Sequence, residues 1–177
     1  MSTLGFKTLT RQNWLEPESI MNAFVHVSRT DQTTVSVTAD EWVDRFLKPQ
    51  LDPCVPTEIL RMFEVARSAV AYGYFFYPLY TLAGEQLYRI AEAAVSVRCG
   101  MIGTLPGTAK SFKRQLEFLR EQNLLSDQDL VWWDTVRELR NYVSHPRNQN
   151  ILMPYDVLRD LCEVATRINH LFAVTET

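Results

Sequence analysis

Residues 136–146 of the 177-residue chain read VRELRNYVSHP, and our interpretation of the fold starts from this stretch. Four apolar residues recur through it and just before it with the spacing i, i+4, i+7, i+11, namely Trp132, Val136, Leu139 and Val143. This period predicts an amphipathic helix with one face against a core. Pro146 cannot continue the helical hydrogen-bond ladder and disfavours the helical conformation for the residue before it. We therefore expect the helix to end at about His145.

The polar residues of this helix fall on its other sides. At about 100° per residue, Asn141 and His145 point away from the apolar stripe. Arg137 and Ser144 lie beside them, and Arg140 is closer to the boundary. The dipole at a helix C-terminus favours the protonated form of a histidine. The pattern predicts that a cation, an amide and an imidazole cluster at one end of the helix, away from the core.

The composition limits the classes of function. With 46% apolar and 11% aromatic residues, the chain can bury the core of one globular domain. The net charge of -3 argues against a surface that coats nucleic acid broadly, although it allows a small local site for phosphate. The three cysteines form no CxxC pair and the three histidines form no recognisable ligand set, so we predict neither a metal site nor a cofactor.

Two further patterns bear on location. The chain has no basic segment followed by an apolar run at its N-terminus, and its longest apolar stretch, residues 70–82, contains Gly73 and Pro78. We therefore expect no membrane association. The odd, widely spaced cysteines are typical of reduced thiols, so we expect a cytoplasmic protein.

The remaining chain reads as further helices with short connections. Residues 38–41, TADE, resemble a capping box that opens a short helix, and Pro56 and Pro154 each stand where a longer helix begins. Residues 79–99 are apolar nearly all round, which predicts a central helix with Gly100 as its C-cap. We predict an all-α bundle of five to six helices over residues 57–177, preceded by a helical extension over residues 1–56.

Two features are open to more than one interpretation. Residues 17–27 read as a short helix, which we favour, but residues 24–28 and 33–38 also alternate like two strands of a hairpin. Glu85, Arg89 and Glu92 form a polar stripe on the central helix at i, i+4, i+7. This stripe is either a salt-bridged, solvated face, or it brings Glu85 or Arg89 toward the site on the later helix.

Residues 140–145, RNYVSH, match the R-N-x-x-x-H form of the motif of the HEPN superfamily, the higher eukaryotes and prokaryotes nucleotide-binding domains. As in that family, the motif lies late in an all-helical chain, at the end of a helix, with one further helix after it. Residues 79–87, LYTLAGEQL, also resemble the earlier core helix of these domains. The resemblance covers roughly residues 57 to 174 and leaves the N-terminal segment unexplained.

The resemblance implies a two-fold homodimer in which two copies of the motif meet in a cleft. Catalytic members are metal-independent endoribonucleases of toxin, antiphage and RNA-processing systems. RNA is then the expected substrate, and an antitoxin or a sensor protein is the kind of further partner that it implies. The resemblance assigns catalytic roles to Arg140, Asn141 and His145.

These residue types suit RNA cleavage. Histidine titrates near neutrality and can give or take a proton, while an arginine presents a fork of donors to phosphate oxygens. Candidate substrate-binding residues near the motif or on the polar stripe are Ser144, Arg147, Arg137 and Glu85.

Two alternatives to the enzyme stay open. The protein could be a non-catalytic module of the same family that binds RNA, a nucleotide or a partner protein. Alternatively, Arg140 and Asn141 only cap or pair across a helix end, while His145 interacts with its own helix dipole.

Overall fold

The computed structural model describes residues 5–27, 33–103, 111–143 and 151–173. Within these ranges the chain forms six α-helices: α1 Ala39–Leu47, α2 Thr57–Tyr72, α3 Leu79–Met101, α4 Phe112–Glu121, α5 Asp127–Val143 and α6 Pro154–Ala173. The predicted all-α bundle of five to six helices is therefore confirmed. No helix among the described residues combines the length and apolar character needed to cross a membrane.

The central helix is α3, as its nearly continuous apolar sequence predicts. It packs against α2, α4, α5 and α6, and it buries twelve of its residues. The prediction that α3 ends at Gly100 is wrong, because the helix continues to Met101. Gly103 instead adopts the left-handed conformation that terminates helices, with a φ of 81°. Gly100 lies at an exposed position inside the last turn.

The N-terminal region corrects the favoured helix over residues 17–27. Only Ser19–Ala23 are helical, in a short 3-10 turn, and two strands follow, β1 Val25–Val27 and β2 Thr34–Ser36. The strands pair antiparallel with Val25 opposite Ser36, so the hairpin alternative is correct. A lone hairpin has no sheet to join, but the residue just before β1 packs on two helices. The Phe24 ring packs on Trp42 of α1 and on Tyr155 of α6.

Helix α1 shares the core of the bundle. The predicted capping box forms, with the Thr38 hydroxyl and the Glu41 carboxylate each accepting a backbone N–H of the other residue. Trp42 and Phe46 are completely buried, and the Trp42 indole N–H donates to the Tyr80 hydroxyl of α3 at 2.5 Å. The division into residues 1–56 and 57–177 stays a prediction from sequence. The side chains of α1 nevertheless contribute to the same core as those of α3.

Candidate functional site

Helix α5 positions the candidate site, and it is rotated relative to the sequence prediction. Its first turn is fixed by Ser126 and Asp129, which accept each other's backbone N–H at 3.1 Å. Trp133 is buried instead of Trp132, with 1% of its surface exposed, and Leu139 is 39% exposed. The predicted stripe is therefore wrong at Leu139, whereas Trp132 is partly buried and packs against the edge of the core. The side of α5 that faces the bundle instead carries Trp133, Val136 and Arg140, at the spacing i, i+3, i+7.

The reason for this rotation is the second tryptophan. Adjacent residues are about 100° apart on a helix, so Trp132 and Trp133 cannot both face the core centre. Trp133 packs into the core, and Trp132 lies against α6, where the Arg167 guanidinium stacks 5.5 Å from its ring centroid. A stripe drawn through either tryptophan satisfies helical periodicity, so the sequence alone could not choose between them.

Arg140 is held between two helices. Its Nε atom lies 2.8 Å from Oε2 of Glu92 on α3, and the two side chains are 35% and 27% exposed. Its Nη1 atom also donates to Oδ1 of Asn141 at 3.2 Å. Because Arg140 lies on the side of α5 that faces the bundle, its guanidinium is fixed against α3 instead of extending into solvent. Arg140 and Asn141 thus contact each other near the C-terminal end of α5.

The other candidates on described residues are placed differently. Asn141 is exposed. Arg137 donates from Nε to Oδ1 of Asp134 at 2.6 Å, and this hydrogen bond is the main cause that lowers the pKa of Asp134. Arg137 is thus paired within its own helix. Ser144, His145 and Arg147 lie outside the described residues.

The polar stripe of α3 matches neither interpretation completely. No ion pair joins Glu85 to Arg89 within the described part of the chain, and Arg89 is exposed while Glu85 is half-buried. The member that reaches the site is Glu92, which the sequence analysis had not selected. Glu92 lies on the flank of α3 nearest α5. The sequence could have identified it only if the side of α3 that α5 covers had been known.

A second polar contact lies one turn earlier on α3. The Tyr88 hydroxyl donates to Oδ2 of Asp160 on α6 at 3.0 Å. Tyr88 is 6% exposed and the Asp160 side chain is 23% exposed. Burial is the largest cause that raises the pKa of Asp160, and the hydrogen bond from Tyr88 opposes it. Sequence analysis missed both residues, because an aspartate on the flank of an amphipathic helix looks like any surface carboxylate.

The described residues contain no group of three or more histidine, cysteine or acidic side chains arranged to hold a metal ion. Comparison with known proteins gave no family: no family model, curated protein or solved structure matches the chain.

Proposed function

We propose that this protein is a metal-independent endoribonuclease of the HEPN type, which leaves 2′,3′-cyclic phosphate ends. The observation that supports this most directly is the convergence of Arg140 and Asn141 at the C-terminal end of α5, with Arg140 anchored by Glu92. In the sequence, His145 follows two residues after Val143, the last described residue of α5. The three motif residues thus fall within six consecutive positions.

The chemistry assigns a role to each motif residue. A ribose 2′-hydroxyl attacks the adjacent phosphorus, so the reaction needs a proton acceptor, a proton donor for the 5′-oxygen and a cation beside the phosphorane. Arg140 supplies the cation, and Asn141 binds a phosphate oxygen or orients the histidine. His145 transfers a proton.

The anchoring of Arg140 supports this role over a purely structural one. Arginine has a planar fork of donors, and a carboxylate that engages one edge fixes the direction of the others. A guanidinium positioned before the substrate arrives loses less conformational entropy on binding phosphate.

The wider setting of the activity follows from the resemblance. We propose a two-fold homodimer whose cleft binds RNA, acting in the cytoplasm within a toxin or antiphage-defence system under control of an antitoxin or a sensor protein. Exposed apolar side chains near the helix end, Tyr142 at 66% and Leu139 at 39%, are available for pairing with a second chain.

The test is cleavage of end-labelled RNA with EDTA present, comparing wild type with His145→Ala and Arg140→Ala. Arg120→Ala serves as the matched control, because it removes one exposed arginine from the last turn of α4, outside the motif. We expect 2′,3′-cyclic phosphate products from wild type and the control only. Cleavage by His145→Ala at the wild-type rate would refute the proposal. RNA binding without any cleavage would instead favour the non-catalytic module.

A further inference from the structure

A cleft of about 430 Å³ lies between the first three turns of α2 and the connector that joins α1 to α2, residues 48–56. Its volume falls in the range of pockets that bind small molecules, about 300–1,000 Å³. Every residue that lines it belongs to the connector or to α2, and none belongs to the motif on α5. The cleft is therefore separate from the candidate ribonuclease site.

The connector wall of the cleft is held in place by Asn169 of α6. The Asn169 Oδ1 atom accepts the backbone N–H of Asp52 at 2.8 Å, and its Nδ2 atom donates to the carbonyl of Gln50 at 3.0 Å. Pro49 and Pro53 restrict the backbone on either side of these bonds. The wall is thus formed before a ligand arrives, which lowers the entropic cost of binding.

The inside of the cleft is apolar. Leu51 of the connector and Leu60 of α2 line it from its two sides, and both side chains are only partly buried. Phe63, which is 3% exposed, lies one turn after Leu60 and connects the cleft to the core. The apolar part of a ligand that lay here would remove leucine surface from water, which is favourable.

Of the charged residues in the cleft, Arg67 and Glu64 are paired with each other. The Arg67 Nη2 atom lies 2.5 Å from Oε2 of Glu64, and the Arg67 Nη1 atom donates to the carbonyl of Leu47 at the end of α1. The Arg67 side chain is only 16% exposed. These contacts fix the guanidinium, and they neutralise the one carboxylate that lines the cleft.

Arg61 is the cation that remains. It is exposed, and it forms no ion pair with any carboxylate of the described residues, including Glu58 one turn earlier. Two arginines and one glutamate line the cleft, so the lining carries a net charge of +1. The guanidinium of an arginine matches the two oxygens of a carboxylate. A ligand with one negative charge would balance the lining.

We propose that this cleft binds a small organic acid, with its carboxylate on Arg61 and an apolar body of a few carbons between Leu51 and Leu60. The inference goes beyond the proposed ribonuclease and does not depend on it. A carboxylate fits better than a phosphate monoester, which carries a charge of about −1.5 to −2 at neutral pH. Because Arg61 is exposed, water and salt screen its charge, and the apolar body supplies most of the affinity.

The experiment titrates the full chain with hexanoate and follows the methyl NMR signals of Leu51 and Leu60. Hexan-1-ol keeps the alkyl chain of this probe without its charge, and acetate keeps the charge with little of the chain. We expect saturable shifts with hexanoate, weaker binding of hexan-1-ol, and no saturable shift with acetate.

Three variants separate the charge from the apolar contact. Arg61→Gln should weaken hexanoate binding about two- to fivefold, the effect of one screened ion pair, and leave hexan-1-ol binding unchanged. Leu60→Ser should weaken the binding of both probes. Arg120→Gln, the same change at an exposed arginine of α4, should alter neither. Circular dichroism checks that each variant is folded.

Three results would overturn the inference. They are the absence of saturable hexanoate shifts at Leu51 and Leu60, equal affinities of wild type for hexanoate and hexan-1-ol, and an unchanged hexanoate affinity in Arg61→Gln. If Arg61→Gln does not fold, the comparison of the two probes on wild type decides. A wild type that binds hexanoate but does not cleave RNA would refute the proposed function and leave this inference standing.

Discussion

The ion pair between Arg140 and Glu92 allows the structural and chemical roles of the arginine to be separated. We consider Glu92→Gln, Arg140→Met and the double variant, where methionine keeps the apolar stem of the arginine. Fully exposed pairs contribute about 0.2–1 kcal/mol, whereas breaking a buried pair costs about 3–5 kcal/mol. Because its side chains are 35% and 27% exposed, we expect this pair to contribute a free energy closer to that of an exposed pair. Each single variant should lower the free energy of unfolding by about 1 kcal/mol.

The assay is thermal or urea unfolding followed by circular dichroism, together with RNA cleavage. For a chain of this length, about 1 kcal/mol corresponds to a drop in Tm of about 2–4 °C. The double variant should lose less stability than the sum of the two single losses, because both substitutions remove the same contact. In the cleavage assay, Arg140→Met should lose about 10²–10³-fold, since it removes a donor to the transition state. Glu92→Gln should lose only about tenfold, because it acts through the orientation of the guanidinium.

The matched control is the ion pair of Arg114 and Glu117 on α4, which joins similar groups at 2.9 Å but leaves the arginine side chain 71% exposed. Glu117→Gln should change stability by less than about 0.5 kcal/mol. Strictly additive losses for Arg140→Met and Glu92→Gln would show that the two side chains do not interact in solution. Equal losses of cleavage in the two variants would refute the separate roles.

Three further predictions concern the bundle. Val136→Asp should unfold the protein, because it buries an unpaired charge at a position only 3% exposed, whereas Leu139→Asp should be tolerated; circular dichroism distinguishes them. Burial raises the pKa of Asp160 in the folded state. At pH values between the ordinary pKa of an aspartate and this raised pKa, the folded protein therefore binds more protons than the unfolded chain. The free energy of unfolding attributable to Asp160 should thus fall as pH rises through that window, and urea titrations of Asp160→Asn should lack this component. Cys99 is 1% exposed and burial raises its pKa to about 11, so a thiol reagent should modify it only after unfolding, whereas the other two cysteines, which are exposed, react in the native protein.

The sequence was most informative where a signal is local. The capping box of α1, the start of α6 at Pro154 and the central position of α3 depend on neighbouring residues or on overall apolarity, and each was predicted correctly. The rotation of α5 was not, because Trp132 and Trp133 offer two stripes of equal period. Only the packing of Trp132 on α6 decides between them.

The candidate site shows the same limit. Arg140 and Asn141 could be chosen from their motif, since that pattern lies within six residues. Glu92 and the Tyr88–Asp160 contact could not, because they join helices that are up to about seventy residues apart in sequence. Contacts at that separation leave no periodic trace in a single sequence.

The long separation between α3 and α6 has a consequence for the order of folding. Helices α2 and α3 are neighbours in sequence and make the most extensive contact in the fold, so we expect them to associate early, before the loop to α6 closes. Pulsed amide exchange that found α6 protected before α2 would contradict this order. During synthesis, α6 is the last of the described helices to leave the ribosome. A nascent chain would therefore lack the hydrogen bond between Tyr88 and Asp160 until α6 docks, so the central helix reaches its final packing only at that last step.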